Sequence, residues 1–117
     1  MEPDAIDFTR TAALGDPSTE QGRAALAEIL RLYFENAATA CADMRHAGSP
    51  EEVRRHAHRA KGASGVVGAV MMSRLFADLE ARAAAGETIG ADTYDDLEGR
   101  LAALRVAAGM QLGVDLN

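Results

Sequence analysis

Apolar side chains recur along most of the chain at intervals of three and four, the spacing that gathers them on one face of a helix. Leu26, Ile29, Leu30, Tyr33, Ala37, Cys41 and Met44 form one such series and predict a long amphipathic helix ending near residue 45. Its start is marked by Gly15-Asp16-Pro17-Ser18, with Gln21 three positions after Ser18, the spacing of a helix-capping pair. In Gly48-Ser49-Pro50-Glu51-Glu52, Ser49 reads as the cap of a second helix, Pro50 as its first residue and Glu52 as the partner in the capping box. That helix runs to the stretch Gly65 to Gly68, where the helix penalty of glycine predicts a kink or break. A third helix, from about Ala69 to Ala85, carries Met72, Leu75, Phe76, Leu79 and Ala83 on one side, and Gly86 follows where a left-handed cap belongs. The fourth, from about Asp92 to Met110, repeats the pattern with Tyr94, Leu97, Leu101, Leu104 and Ala108.

Four amphipathic helices joined by short loops predict an all-α fold, an antiparallel up-and-down four-helix bundle. The segment 7–14, with Phe8, Ala12 and Leu14, is expected to form a short N-terminal helix closing one end. The bundle then occupies about 18–110, and 111–117 form a tail that frays after Gly113. With 117 residues there is room for one domain and its core, but not for a nucleotide-binding catalytic domain as well. Apolar residues reach 48% while aromatics stay at 4% with no Trp, a balance that suits closely packed helices better than strands.

The formal net charge of −6 argues against a nucleic-acid partner, since phosphate backbones select basic faces. The one cysteine, Cys41, falls in an apolar helical position and reads as a small buried side chain. No apolar run approaches the roughly 20 residues of a membrane span, and Met1 to Arg10 carry acids instead of a basic region followed by an apolar stretch. The expectation is a cytoplasmic monomer that neither enters nor crosses a membrane.

Candidate chemistry concentrates on the second helix. At about 100° per residue, Val53, Ala57, Ala60, Ser64 and Val67 gather on the side that must be buried. His58 points the other way, in company with Arg54, Lys61, Gly62 and Gly65. Each of these glycines costs about 0.5–1 kcal/mol against alanine. A helix already ending near Gly65 would account for that residue but less well for Gly62, whereas a bare surface beside an exposed imidazole gives a second protein access to it. A neutral imidazole is a nucleophile at working pH, and phosphoryl transfer to Nε2 is its natural reaction. Lys61 is placed to neutralise phosphoryl oxygens, and Arg54, Arg55, Arg59 and Lys61 make a basic island suited to docking an acidic partner. Taken singly, each of these cations is more often an ordinary solvated side chain.

The run His58-x-x-Lys61-Gly62-x-Ser64, with Gly68 four residues later, resembles the signature of the histidine-containing phosphotransfer (HPt) domain family. The similarity continues through Gly68-Ala69, Met72, Phe76, Leu79-Glu80 and the alanine-rich stretch ending at Gly86, and upstream through Ile29-Leu30 and Tyr33-Phe34, covering roughly residues 7 to 104. Ala60 and Phe76 depart from the usual leucine and cysteine, in packing positions only. The resemblance implies a phosphorelay carrier without autokinase activity, taking a phosphoryl group on His58 from the receiver domain of a hybrid histidine kinase and passing it to a response regulator. It also implies no cofactor of its own, with Mg²⁺ held by the partner's carboxylates. Ser64 projects to the buried arc and reads as a packing or backbone-bonding residue, and Gly68 as structural.

Two other readings compete. His56 and His58 diverge by about 200° on a helix, so a shared metal is disfavoured and His56 reads as a half-buried packing residue. A helical interaction module that binds receiver or kinase domains without taking up phosphate predicts the same fold and docking face, and differs only in tolerating loss of the His58 imidazole.

Overall fold

The structure, a computed structural model, describes residues 4–117; Met1 to Pro3, part of the acid-bearing N-terminus, lie outside the described residues. Four helices follow in order: α1 (Glu20–Arg45), α2 (Pro50–Val66), α3 (Val70–Ala84) and α4 (Ala91–Leu112). Side-chain pairings fix their directions. Tyr33, midway along α1, meets Ser64 near the end of α2. Ser73 early in α3 donates to the Lys61 carbonyl, while Glu80 further along reaches back to His58. Arg45 at the end of α1 pairs with Asp95 and Glu98 near the start of α4. Each of these pairs runs antiparallel, as an up-and-down bundle requires.

The stripes expected from periodicity line the core. Leu26, Leu30, Tyr33, Ala37, Cys41 and Met44 of α1 are buried together with Val53, Ala57, Ala60 and Ser64 of α2, and Ile29 and Leu75 sit half-buried at its margin. Phe34, one position off the α1 series, is buried as well, under the Arg105 guanidinium of α4. Burial pushes the Cys41 thiol up to about 11, as suits a small packing residue.

Three boundaries differ from the expectation. The cap of α1 is Thr19, whose hydroxyl accepts from the Gly22 amide; Ser18 instead bonds Asp16 Oδ1 through both its amide and its hydroxyl. The segment 7–14 is a string of turns and not a helix. The amides of Arg10, Thr11 and Leu14 bond three residues back, and the Asp7 carboxylate takes the amide and hydroxyl of Thr9, so no run of helical bonds develops. Its place is nevertheless fixed at one end of the bundle: Ile6 exchanges two hydrogen bonds with the Gln111 side chain, and the Asp7 amide donates to the Gly68 carbonyl at 2.8 Å. The tail does not fray. Gly113 turns the chain back at φ 69° and Leu116 enters the core, while Arg105 donates to the Leu116 carbonyl and Arg31 to that of Asp115. One leucine beyond a glycine has no periodicity to announce it.

Candidate functional site

Helix α2 starts as its sequence dictates. The Ser49 hydroxyl accepts from the Glu52 amide at 3.3 Å, and the Glu52 carboxylate returns to the Gly48 amide at 3.2 Å, one residue earlier than the usual box. It stops where Gly68 takes φ 78°, a conformation open to glycine, and where a Cβ would stand 2.4 Å from the Asp7 carbonyl oxygen. The inward face is held by one polar contact. Ser64 Oγ donates to the Ala60 carbonyl at 2.7 Å, leaving the Tyr33 hydroxyl to donate to Ser64 Oγ at 2.6 Å. Burial pushes the Tyr33 phenol up to about 12, so it stays a neutral donor. This contact fixes the rotation of α2 against α1, and thereby which residues face outward.

On the outward face the His58 side chain is 62% exposed, and its Nδ1 lies 2.5 Å from Glu80 Oε2 of α3. The other carboxylate oxygen of Glu80 accepts from Lys61 Nζ at 2.6 Å. Glu80 itself is largely enclosed. Its carboxyl is held below the ordinary glutamate range, chiefly by the Lys61 hydrogen bond and then by that of His58, against the opposing effect of desolvation. An ionised carboxylate can only accept, so Nδ1 must carry the ring proton. The neutral ring then has its lone pair on Nε2, the nitrogen left without a partner among the described residues. Geometrically the three residues present an exposed imidazole with a fixed tautomer and a cation one turn away.

Sequence reasoning placed His58 and Lys61 together but did not single out Glu80. One signal was available: an antiparallel pair folded at about 67–69 sets His58 opposite residues near 78–80, where Asp78 and Glu80 are the acids. Choosing between them requires the rotation of α3, which leaves the Asp78 side chain 67% exposed to solvent and turns Glu80 toward α2.

The remaining residues divide. Gly62 and Gly65 share the face of His58; a Cβ on Gly62 would meet nothing within 4 Å, and one on Gly65 only Ser73 Oγ at 3.9 Å. The fold therefore has no need of glycine at either position. Arg54 lies on the same face but is engaged in a two-pronged pair with Glu51, at 2.7 and 2.9 Å. Arg55 and Arg59 lie on the flank toward α1 and are exposed, with no carboxylate paired to either among the described residues. His56 turns to the groove between α1 and α2, away from His58.

A family model, described as the Hpt domain, matches residues 28–107, most of the 117-residue chain, including α2 and α3 entire. The chain belongs to the Hpt domain family. It is thereby a phosphotransfer-type module of two-component signalling, of a family whose members interact with receiver domains. Searches of curated proteins and of solved structures return no match. The family match contains the whole His58 to Gly68 run and Glu80, whereas the turns of 7–14 and the buried Leu116 lie outside it. Among the described residues of this Hpt domain, no helix is long and apolar enough to cross a membrane.

Proposed function

We propose that this Hpt domain is a monomeric phosphoryl carrier without autokinase activity, taking the group on Nε2 of His58 and exchanging it with receiver aspartates. The observation that carries this reading is the pairing of His58 Nδ1 with Glu80 while the ring stands exposed on a face stripped of side chains at Gly62.

In the forward step the Nε2 lone pair attacks the phosphorus of a partner's aspartyl phosphate. The P–N bond forms, the P–O bond to the aspartyl group breaks, and the aspartate leaves as a carboxylate with the bonding pair. The ring keeps its Nδ1 proton and becomes cationic, and Glu80 Oε2 stands against the new charge. Reversal returns a neutral imidazole as leaving group, so no proton need enter or leave the ring in either direction. Lys61, shared with Glu80, supplies a positive charge one turn from the phosphoryl oxygens. Mg²⁺ held by the partner's carboxylates would neutralise phosphoryl charge in transit; this chain's part is to present the nucleophile. A ring oriented by Glu80 in this way contributes by positioning, which is what phosphoryl transfer chiefly demands.

The test is incubation with phosphorylated receiver domains, comparing the wild-type chain with His58→Gln. Label on the wild type that is lost in acid, survives alkali and is absent from the variant is the expected result. Binding to receivers with no label across a broad panel would overturn the carrier reading in favour of the interaction module.

A further inference from the structure

Burial of Met72, Phe76, Leu79 and Ala83 decides which face of α3 turns inward, but apolar contacts have no direction and leave the finer shift of α3 along α2 open. Among the described residues, three side-chain hydrogen bonds cross the seam between these helices. Two belong to Glu80, and they join the ends of side chains whose torsions allow them to meet over a range of helix positions. The third differs in kind. Ser73 Oγ donates to the Lys61 carbonyl oxygen at 3.1 Å, so a short side chain is tied directly to the backbone of the neighbouring helix. The carbonyl has a second lone pair to offer beyond its helical bond. Gly65, one turn on, raises no side chain across the approach; a Cβ there would stand 3.9 Å from Ser73 Oγ.

The placing of Ser73 links it to the site. Lys61 is held by α3 at both ends, its carbonyl by Ser73 and its ammonium by Glu80 at 2.6 Å. Ser73 and Glu80 lie two turns apart on one face of α3, while Lys61 and His58 lie one turn apart on α2. Between Ser73 and Glu80 the same face carries Ala77, whose methyl group makes no directional contact.

We propose that Ser73 is a positioning residue of the transfer site: its bond to the Lys61 carbonyl sets the register of α3 on α2, so that the Glu80 carboxylate spans His58 Nδ1 and Lys61 Nζ at once. The effect on transfer rests on the carrier reading; the effect on the ring does not. A carboxylate that meets two donors with its two oxygens tolerates little displacement, on the order of 0.5 Å. One residue of slip along α3 would shift Glu80 by about 1.5 Å and turn it by about 100°. A far smaller movement separates the two partners, because the long lysine stem follows a displaced carboxylate whereas the imidazole, on two torsions, does not. Without Ser73, Glu80 keeps Lys61 and loses its hold on His58.

Ser73→Val and Ser73→Thr test this, being alike in shape and different in the hydroxyl. The imidazole ¹⁵N shifts of His58, read at a pH where the ring is neutral, report which nitrogen carries the proton. Wild type and Ser73→Thr should hold it on Nδ1, while Ser73→Val and Ser73→Ala should show a mixture of tautomers. Transfer from a phosphorylated receiver should fall about three- to tenfold in Ser73→Val and Ser73→Ala and recover in Ser73→Thr. Labelling by phosphoramidate, a small donor that needs no docked protein, should fall by the same factor, because the change lies in the ring and not in docking. Adding Ser73→Val to Glu80→Ala should change neither reading further. A purely structural role would lower stability without moving the tautomer. Equal tautomer populations in Ser73→Val and Ser73→Thr, or transfer slowed in Ser73→Val but not in Ser73→Ala, would overturn the proposal. Failure of phosphoramidate and receivers alike to label wild-type His58 would sink the carrier reading instead, and the tautomer comparison would still decide what Ser73 does.

Discussion

The two faces of α2 obey different rules. Inward, Val53, Ala57, Ala60 and Ser64 are where they are because the fold needs them: small side chains for close helix contact, and one hydroxyl to satisfy the Tyr33 phenol. Outward, His58, Gly62 and Gly65 satisfy nothing among the described residues except the Glu80 carboxylate. A residue type that the fold does not require, in a position where a better helix former would fit, points to demands from outside the chain. The glycines make the contrast most directly. Gly68 is held by a positive φ and by the Asp7 carbonyl lying against its Cα, whereas six residues earlier Gly62 has open space around it.

That comparison breaks first at Gly68. Gly68→Val should force the chain out of φ 78° and push the segment at Asp7 away, destabilising the domain by about 3 kcal/mol. Urea unfolding would show it, as would faster amide exchange at Asp7, whose bond to the Gly68 carbonyl would be lost. The next largest effect should come from Ser64→Ala, which strands the buried Tyr33 hydroxyl at about 1–3 kcal/mol. Adding Tyr33→Phe should recover part of that loss, because both members of the bond are then gone. No recovery in the double variant would mean that Ser64 acts through its bond to the Ala60 carbonyl and not through Tyr33.

The sequence exposed the inward face far better than the outward one. Period and capping placed α2, α3 and α4 to within a residue or two, and Ser64 was assigned to the buried side before its partner was known. Burial is written into the order of residues, since most core residues of the helices repeat at three and four. The site was legible only in its local half. His58, Lys61 and Gly62 lie within five residues on one helix, but Glu80 comes from another, and its arrival depends on the rotation of α3, which packing decides. The buried Leu116 escaped for a related reason, since one side chain meeting a distant element leaves no period, whereas the capping at Thr19 and the turns of 7–14 turn on local choices among neighbouring cap and turn bonds that period does not decide.

Gly62 sharpens the comparison with an effect of opposite sign. Gly62→Ala should stabilise the domain by about 0.5–1 kcal/mol, because a Cβ there meets nothing and alanine is the better helix former. The same methyl group would stand on the path to Nε2, so transfer from a receiver should slow while labelling by phosphoramidate persists. A variant both more stable and equally fast would show that Gly62 is not kept for access.

The smallest expected effect concerns the charge of Glu80. Its carboxyl is depressed in the folded chain, so the stability it contributes is fully present above the ordinary glutamate range and is lost as pH falls through the lower folded value. Wild type should therefore exceed Glu80→Gln in urea midpoint at neutral pH, and the gap should close as pH falls below the ordinary glutamate range. Glutamine can still accept the Nδ1 proton through its amide oxygen but brings no negative charge to the cationic phosphorylated ring, nor to Lys61. Glu80→Gln should thus keep the tautomer and retain measurable transfer, while Glu80→Ala, which loses the acceptor, should slow transfer further. Equal rates in the two variants would assign Glu80 to charge alone, and a stability gap that persists in acid would assign it to packing between α2 and α3.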